Sequence, residues 1–290
     1  MALEKKSPCK VNLILNILGQ RPDGFHELET IMQPVPLHDT LIFDRAGDAL
    51  ELTCNDPALP VDGRNLVCRA AAGFLQAANL HAGIKIHLDK KIPLAAGLGG
   101  GSGNAATTLL GLNELFGQPL SAAKLGELAA GLGSDVNFFL QDKPALATGR
   151  GEQVQSLTAF PALAGKALFL IHPGFGISTP WAYQNLARFP EALNGRPGRA
   201  QGLVGALQTD DWAAIRAEIY NSLEAAALEK YPVLEIFQKF LHEYGALASL
   251  MSGSGSTTFA IFENTALAES VREQFLAFFG RNCWTAVVLL

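Results

Sequence analysis

The sequence is poor in charge. Only 17% of its 290 residues are Asp, Glu, Lys or Arg, and 27 acidic against 22 basic side chains leave a net charge of −5. That balance supplies no basic face for a nucleic-acid backbone, though a few local groups can still hold a small anion. Cysteine is scarce: Cys9, Cys54, Cys68 and Cys283 are scattered, with no Cys-x-x-Cys pair. This speaks against a zinc or redox motif and leaves free thiols, as in a reducing cytoplasm. No apolar run approaches the roughly 18 residues of a membrane span. The opening Met-Ala-Leu-Glu-Lys-Lys lacks the apolar stretch of a signal peptide, so a cytoplasmic protein is expected. Internal repeats and low-complexity tracts are missing. So is the Walker ending Gly-Lys-Ser/Thr, since the only Gly-Lys pair, Gly165-Lys166, is followed by Ala167.

What is present is apolar residue, 49% of the chain, enough for one large domain or two medium ones. There is also one stretch dense in glycine. Pro93 to Ala106 reads Pro-Leu-Ala-Ala-Gly-Leu-Gly-Gly-Gly-Ser-Gly-Asn-Ala-Ala, and five of the seven residues from Gly97 to Gly103 are glycine. An alternating apolar run, Ile84 to Leu88, precedes it, and a helical pattern, Asn104 to Phe116, follows. Strand, glycine loop and helix in that order make a phosphate site: glycine lets backbone N–H groups converge, and the helix start adds unpaired donors and a positive dipole end. A flexible loop or a packed turn is the plain alternative. The dinucleotide fingerprint Gly-x-Gly-x-x-Gly/Ala is met literally by Gly101, Gly103 and Ala106. The acidic residue it needs about 20 positions on falls to Glu127, in a helix-like alanine-rich run.

Pro-x-x-x-Gly-Leu-Gly-Gly-Gly-Ser resembles the phosphate loop of the GHMP kinases, a family that includes galactokinase, homoserine kinase and mevalonate kinase. Two further stretches carry the resemblance to the chain's beginning and end. Ser7-Pro-Cys-Lys-Val-Asn-Leu13 is similar to the family's Ser-Pro-Ala-Lys-x-Asn-Leu, with Cys9 in place of alanine. Met251-Ser-Gly-Ser-Gly-Ser256 is similar to its third motif, which lies against the phosphate loop. The resemblance implies an α+β, two-domain GHMP kinase fold, with an N-terminal ribosomal protein S5 domain 2-like domain (1–156) and a C-terminal ferredoxin-like α/β domain (157–290). The implied cofactors are ATP and Mg2+. The implied substrate is a cytidine diphosphate-linked methylerythritol, phosphorylated on a hydroxyl on the way to isoprenoid precursors, by a monomer or homodimer that binds no nucleic acid and no membrane. Another GHMP kinase would lack the cytosine pocket, and a dinucleotide-dependent oxidoreductase would begin with βαβ units rather than consecutive strands.

Period-two alternation over Lys10 to Leu18 predicts a strand with Lys10 and Asn12 on one face; by itself Lys10 would be a solvated strand-end lysine, and Asn12 a turn or edge residue. Turn signals at Pro22-Asp23-Gly24 predict a reversal into strands at 28–35, 40–43 and 49–53. Asn65 is placed to cap a helix over 65–79. Thr179 with Pro180 is expected to cap another. The chain between 181 and 244 reads as mostly helical, and strands are expected at 166–172, 246–251, 259–262 and 283–289.

The resemblance assigns the phosphate cradle to Pro93, Ala95, Ala96, Gly97, Leu98, Gly99, Gly100, Gly101, Ser102, Gly103 and Asn104. It makes Lys10 and Asp135 the catalytic pair: a cation for the γ-phosphate, and a carboxylate to take or orient the hydroxyl proton, with the acceptor left open between the two. Asp135 alone would be a cap or turn aspartate. Asn65 and Leu66 border the adenine. Asn12, Phe25, His26, Thr179 and Tyr183 fall to the substrate, though Tyr183 reads equally as a core tyrosine. No protein side chain is assigned to metal. Gly103 stands where the family has a second serine, and a looser helix start is the expected result.

Overall fold

The computed structural model describes residues 2–47 and 49–290. In chain order the elements are β1 Leu3–Gln20, β2 His26–Arg45, β3 Leu50–Cys54, α1 Leu66–Ala77, β4 Ile84–Asp89, α2 Gly100–Leu115, α3 Ala122–Leu132, β5 Ala145–Thr148, β6 Gln153–Ser156 and β7 Ala167–His172. Then follow α4 Thr179–Leu186, α5 Pro190–Leu193, α6 Arg199–Thr209, α7 Trp212–Glu218, β8 Tyr220–Asn221, α8 Glu224–Lys230, α9 Val233–Glu243, β9 Ala248–Met251, β10 Thr258–Phe262, α10 Thr265–Phe279 and β11 Trp284–Leu289. The chain forms two compact units, each assembled from separate stretches. The first comprises Met1–Cys9, Leu37–Ile92 and Gly99–Asp142; the second comprises Lys10–Pro36, Pro93–Leu98 and Lys143–Leu290.

In the first unit β3 pairs parallel with β4, Leu50 opposite Ile84, and β4 pairs antiparallel with β2, Thr40 opposite Asp89. Leu41, Phe43, Ile84, Ile86 and Leu88 send one buried face of these strands inward. α2 is buried along most of its length, from Gly103 to Leu109 and again at Gly111 and Leu112, so it reads as a core helix rather than an amphipathic one. Gly111 admits the Phe43 ring, which would stand 2.7 Å from any Cβ there. α1 packs on α2 through Val67, Ala70, Ala71 and Phe74.

In the second unit β7 lies centrally in an antiparallel sheet ordered β11-β7-β10-β9 and is buried throughout. Its odd positions, Ala167, Phe169 and Ile171, meet Phe237 and Phe240 of α9 and Phe275 of α10. Each fully buried phenylalanine contributes about 1.5–3 kcal/mol. β1 pairs parallel with the short β8, and β2 pairs antiparallel with β5, Thr30 opposite Ala147. The start of α6 is capped from β2. Glu29, 8% exposed, accepts the Gly198 and Ala200 N–H groups at 3.1 and 3.0 Å and the Asn16 amide at 2.9 Å. A carboxylate at a helix N-terminus meets both its free donors and its dipole.

Three expectations are revised. The strands expected at 28–35 and 40–43 are one strand, β2; Pro34 and Pro36 fall between the β5 register, which ends at Met32, and the β4 register, which begins at Thr40, so neither ladder loses a donor. The helix after the glycine loop begins at Gly100, four residues earlier than its pattern suggests, because Gly99 in the left-handed region (φ 69°) turns the chain into it. The cap of α4 is Ser178, whose side chain accepts from Trp181 N; Thr179 is the first helical residue. The two-residue β8 carries no sequence signal and was not expected.

Glu224, in the first turn of α8, accepts the Met251 N–H at 2.7 Å and the Gln238 amide at 2.5 Å. Desolvation by burial nonetheless pushes its carboxyl up to about 7. A folded-state pKa above the unfolded one means the native state holds the proton, so this contribution is full below about pH 4.5 and is lost as pH rises through about 7. Glu224→Gln should therefore flatten the stability profile between those values and stabilise the protein at pH 8 by about 2–3 kcal/mol, read from urea unfolding across pH.

Candidate active site

Three distant sequence stretches meet in the second unit. Lys10 and Asn12 lie on the same side of β1, as their alternation predicts, and both are 3% exposed. The Lys10 ammonium donates to Asn12 Oδ1 and stands 3.4 Å from the Gly97 carbonyl oxygen. Asn12 Nδ2 in turn donates to Thr30 Oγ1 at 2.8 Å, and that hydroxyl donates to Ile14 O. The backbone aims the lysine as well, since Lys10 N donates to Leu98 O at 2.9 Å. Lys10 is thus a buried, oriented cation rather than a solvated strand-end lysine.

The second glycine loop, 252–258, closes on the first. Ser252 Oγ donates to Gly97 O at 2.9 Å, and Thr257 N donates to Ala96 O at 3.1 Å. The approach leaves no room for side chains: a Cβ at Gly97 would stand 2.1 Å from the Ser252 carbonyl oxygen. At Gly253 it would meet Gly97 O at 3.0 Å and Lys10 Nζ at 3.4 Å. Gly97 and Gly253 also take φ values of 76° and 58°, which glycine adopts at little cost. Ala95, with φ 50°, abuts Gly176, where a Cβ would lie 2.7 Å from the alanine methyl. Pro93 is half-buried at the loop's entry.

In the first unit the loop becomes α2. Gly100, Gly101 and Ser102 form its first turn, so their N–H groups have no partner within the helix. Asn104, 2% exposed, donates to Ser7 Oγ at 2.9 Å. Asn65 caps α1, its side chain accepting Val67 N and donating to Pro60 O; Leu66 lies 3.8 Å from where a Cβ of Gly101 would stand. Asp135 occupies the turn before the short helical turn Asn137–Leu140 and is partly buried.

The residues expected at the substrate all belong to the second unit, and two of them are in contact. The His26 and Tyr183 rings are 5.0 Å apart and tilted by 42°. Phe25, 53% exposed, carries the Arg150 guanidinium over its ring at 4.5 Å. Burial lowers the His26 pKa, so at neutral pH the ring offers one donor and one acceptor. Thr179 Oγ1 and Ser254 Oγ are 2.8 Å apart, linking α4 to the second glycine loop.

Comparison with known proteins agrees with this geometry. The GHMP kinases N terminal domain profile matches residues 65–147, and the GHMP kinases C terminal profile matches 203–281. The chain is similar to the 4-diphosphocytidyl-2-C-methyl-D-erythritol kinases of Pelotomaculum thermopropionicum (43% identity, 94% of this chain and 92% of the relative) and Acaryochloris marina (39%, 93% and 90%). A crystal structure of 4-(cytidine 5'-diphospho)-2C-methyl-D-erythritol kinase superposes with a TM-score of 0.79 at 33% identity, covering 99% of this chain and all of that one. This chain belongs to the 4-diphosphocytidyl-2-C-methyl-D-erythritol kinase family. Membership in this branch of the GHMP kinases sets aside the dinucleotide-dependent oxidoreductase.

Some residues of this family member were not singled out in its sequence. Thr30 orients Asn12, and Ser252 bonds Gly97, yet a threonine inside a strand and a serine in a glycine turn are ordinary by themselves. Arg150 gave a weak signal as the basic residue of a Gly-Arg-Gly turn. Gly103 reverses an expectation. A Cβ there would lie 2.4 Å from the Pro8 carbonyl oxygen and 3.2 Å from Ser7 Oγ. The glycine therefore lets α2 press on β1 and tightens the helix start. Restoring the family's serine with Gly103→Ser should lower stability by about 1–3 kcal/mol, the usual cost of overpacking, and should also raise KM for ATP. Thermal unfolding and initial-rate kinetics would show both.

Proposed function

We propose that this chain transfers the γ-phosphate of ATP to the 2-hydroxyl of 4-diphosphocytidyl-2-C-methyl-D-erythritol, giving the 2-phosphate and ADP, in the non-mevalonate route to isoprenoid precursors. The observation that carries the reading is the buried Lys10 ammonium held between β1 and the two glycine loops. The full-length similarity to kinases of that name supports it.

Phosphoryl transfer asks a protein for positioning and charge rather than covalent chemistry. In this reading the N–H groups of Gly99 to Ser102 cradle the nucleotide phosphates, with Pro93, Ala95, Ala96 and Asn104 shaping the loop. Asn65 and Leu66 border the adenine. Lys10 stabilises charge on the γ-phosphoryl oxygens as the bond to the β-phosphate breaks. Asp135 orients the attacking hydroxyl and takes its proton. A carboxylate is a weak base for an alcohol, so that proton leaves late, as the new phosphorus–oxygen bond forms. Phe25, His26 and Tyr183 hold the cytosine; Asn12 and Thr179 complete the acceptor side.

Among the described residues no three His, Cys, Asp or Glu side chains gather as a metal site. Ser102, in the first turn of α2, would offer its hydroxyl to a nucleotide-bound Mg2+, which would supply charge neutralisation at the phosphates. The two family domains are assigned to 1–156 and 157–290, a division supported by the profile spans on either side of it. No helix among the described residues is long and apolar enough to cross a membrane, and a cytoplasmic location fits an ATP-dependent small-molecule kinase.

An ADP-release assay with Mg-ATP tests the reading, run with the cytidine substrate beside mevalonate, homoserine and galactose. Turnover should appear with the cytidine substrate alone; turnover with another alcohol instead would remove the cytosine pocket. Asp135→Asn should lower kcat by about a thousandfold or more, the scale of losing a general base and its orientation. ATP affinity should stay within about threefold of the parent. An unchanged kcat would remove Asp135 from the mechanism.

A further inference from the structure

One buried carboxylate outside the catalytic pair gathers both ends of the phosphate loop. Asp39 lies inside β2 and is 0% exposed. Its Oδ1 accepts the N–H groups of Lys91 and Ile92 at 2.8 and 2.9 Å, the last residues before Pro93. Its Oδ2 accepts the Lys90 ammonium at 2.5 Å and the Asn104 amide at 2.9 Å. Lys90 also approaches Asn104 Oδ1 at 3.4 Å, while Asn104 Nδ2 reaches Ser7 Oγ. The Lys90 side chain is 5% exposed, and its ammonium lies 3.3 Å from where a Cβ of Gly100 would stand.

We propose that Asp39 is a positioning residue for nucleotide binding: it ties the loop's entry at 90–92 to its exit at Asn104 and so preorganises residues 93–103. The proposal rests on the reading of that loop as the ATP site. A stretch rich in glycine loses more conformational freedom on ordering than any other composition. If the loop were slack, that loss would accompany each binding event and would weaken affinity. The carboxylate takes four donors, two from the backbone before the loop and two from side chains at its margins, so both margins of the loop are already held in the free protein. Its charge matters too, because a buried Lys90 without its partner would be an uncompensated cation beside the loop helix.

The geometry supplies its own rescue. In Asp39→Asn the new amide faces Lys90 and the Asn104 amide with a donor where an acceptor stood. Adding Lys90→Met removes the ammonium left without its anion, and the Asn104 amide, turned over, presents its oxygen to the amide introduced at position 39, so entry and exit stay tied. We expect Asp39→Asn to weaken ADP binding by about tenfold or more in calorimetry and to raise KM for ATP in proportion. KM for the cytidine substrate should not follow, and hydrogen exchange at 93–103 should quicken without nucleotide. The double variant should return ADP affinity to within about threefold of the parent.

An Asp39→Asn protein that folds and binds ADP with parental affinity overturns the proposal. So does a folded double variant that retains the tenfold loss; if the single variant does not fold, the double variant decides alone. Parental protein that binds no ADP at all would instead remove the nucleotide reading of the loop.

Discussion

Two backbones in the second unit come so close that one of them can carry no side chain where they touch. The Ser252 carbonyl occupies the space a Cβ of Gly97 would need. Around that contact the Ser252 hydroxyl, Thr257 N, Lys10 N and the Lys10 ammonium all find carbonyl oxygens of residues 96–98. The loop is therefore defined from outside rather than by its own side chains, which it largely lacks.

Desolvating an ammonium is costly unless good acceptors replace water. Here Asn12 Oδ1 and Gly97 O are among those acceptors, and Thr30 fixes which way the Asn12 amide points. A lysine so held keeps little rotamer freedom. The same logic runs through the first unit, where Asp39, Lys90 and Asn104 hold one another in place. In both units polar side chains hold the backbone of the glycine stretch or of the residues that flank it.

Much of this was legible in the sequence because glycine and alternation are local signals. Residues 93–106 announce a loop by composition alone, and Lys10 and Asn12 fall on one face by counting. The strand–loop–helix order and the cap at Asn65 follow from similar arithmetic. What the sequence hid is non-local. Asp39 looks like any acidic residue near a strand end, and its four donors come from positions 51 to 65 residues away. The start of α2 is hidden because glycine is a poor helix former in isolation, whereas Gly103 is required there by the neighbouring Pro8 carbonyl. Ser178 displaced Thr179 as cap because adjacent hydroxyl residues both satisfy the pattern.

The second unit draws on Lys10–Pro36, Pro93–Leu98 and everything from Lys143 onward, and Glu29 caps a helix that begins 170 residues later in the chain. A ribosome delivers the N-terminal strands first, long before most of their partners exist. This unit therefore closes only after translation has nearly finished, while the first unit needs nothing beyond Asp142. Pairings so remote in sequence are slow to form, and the waiting strands expose apolar edges in the meantime. The nascent chain is expected to depend on chaperones over that interval.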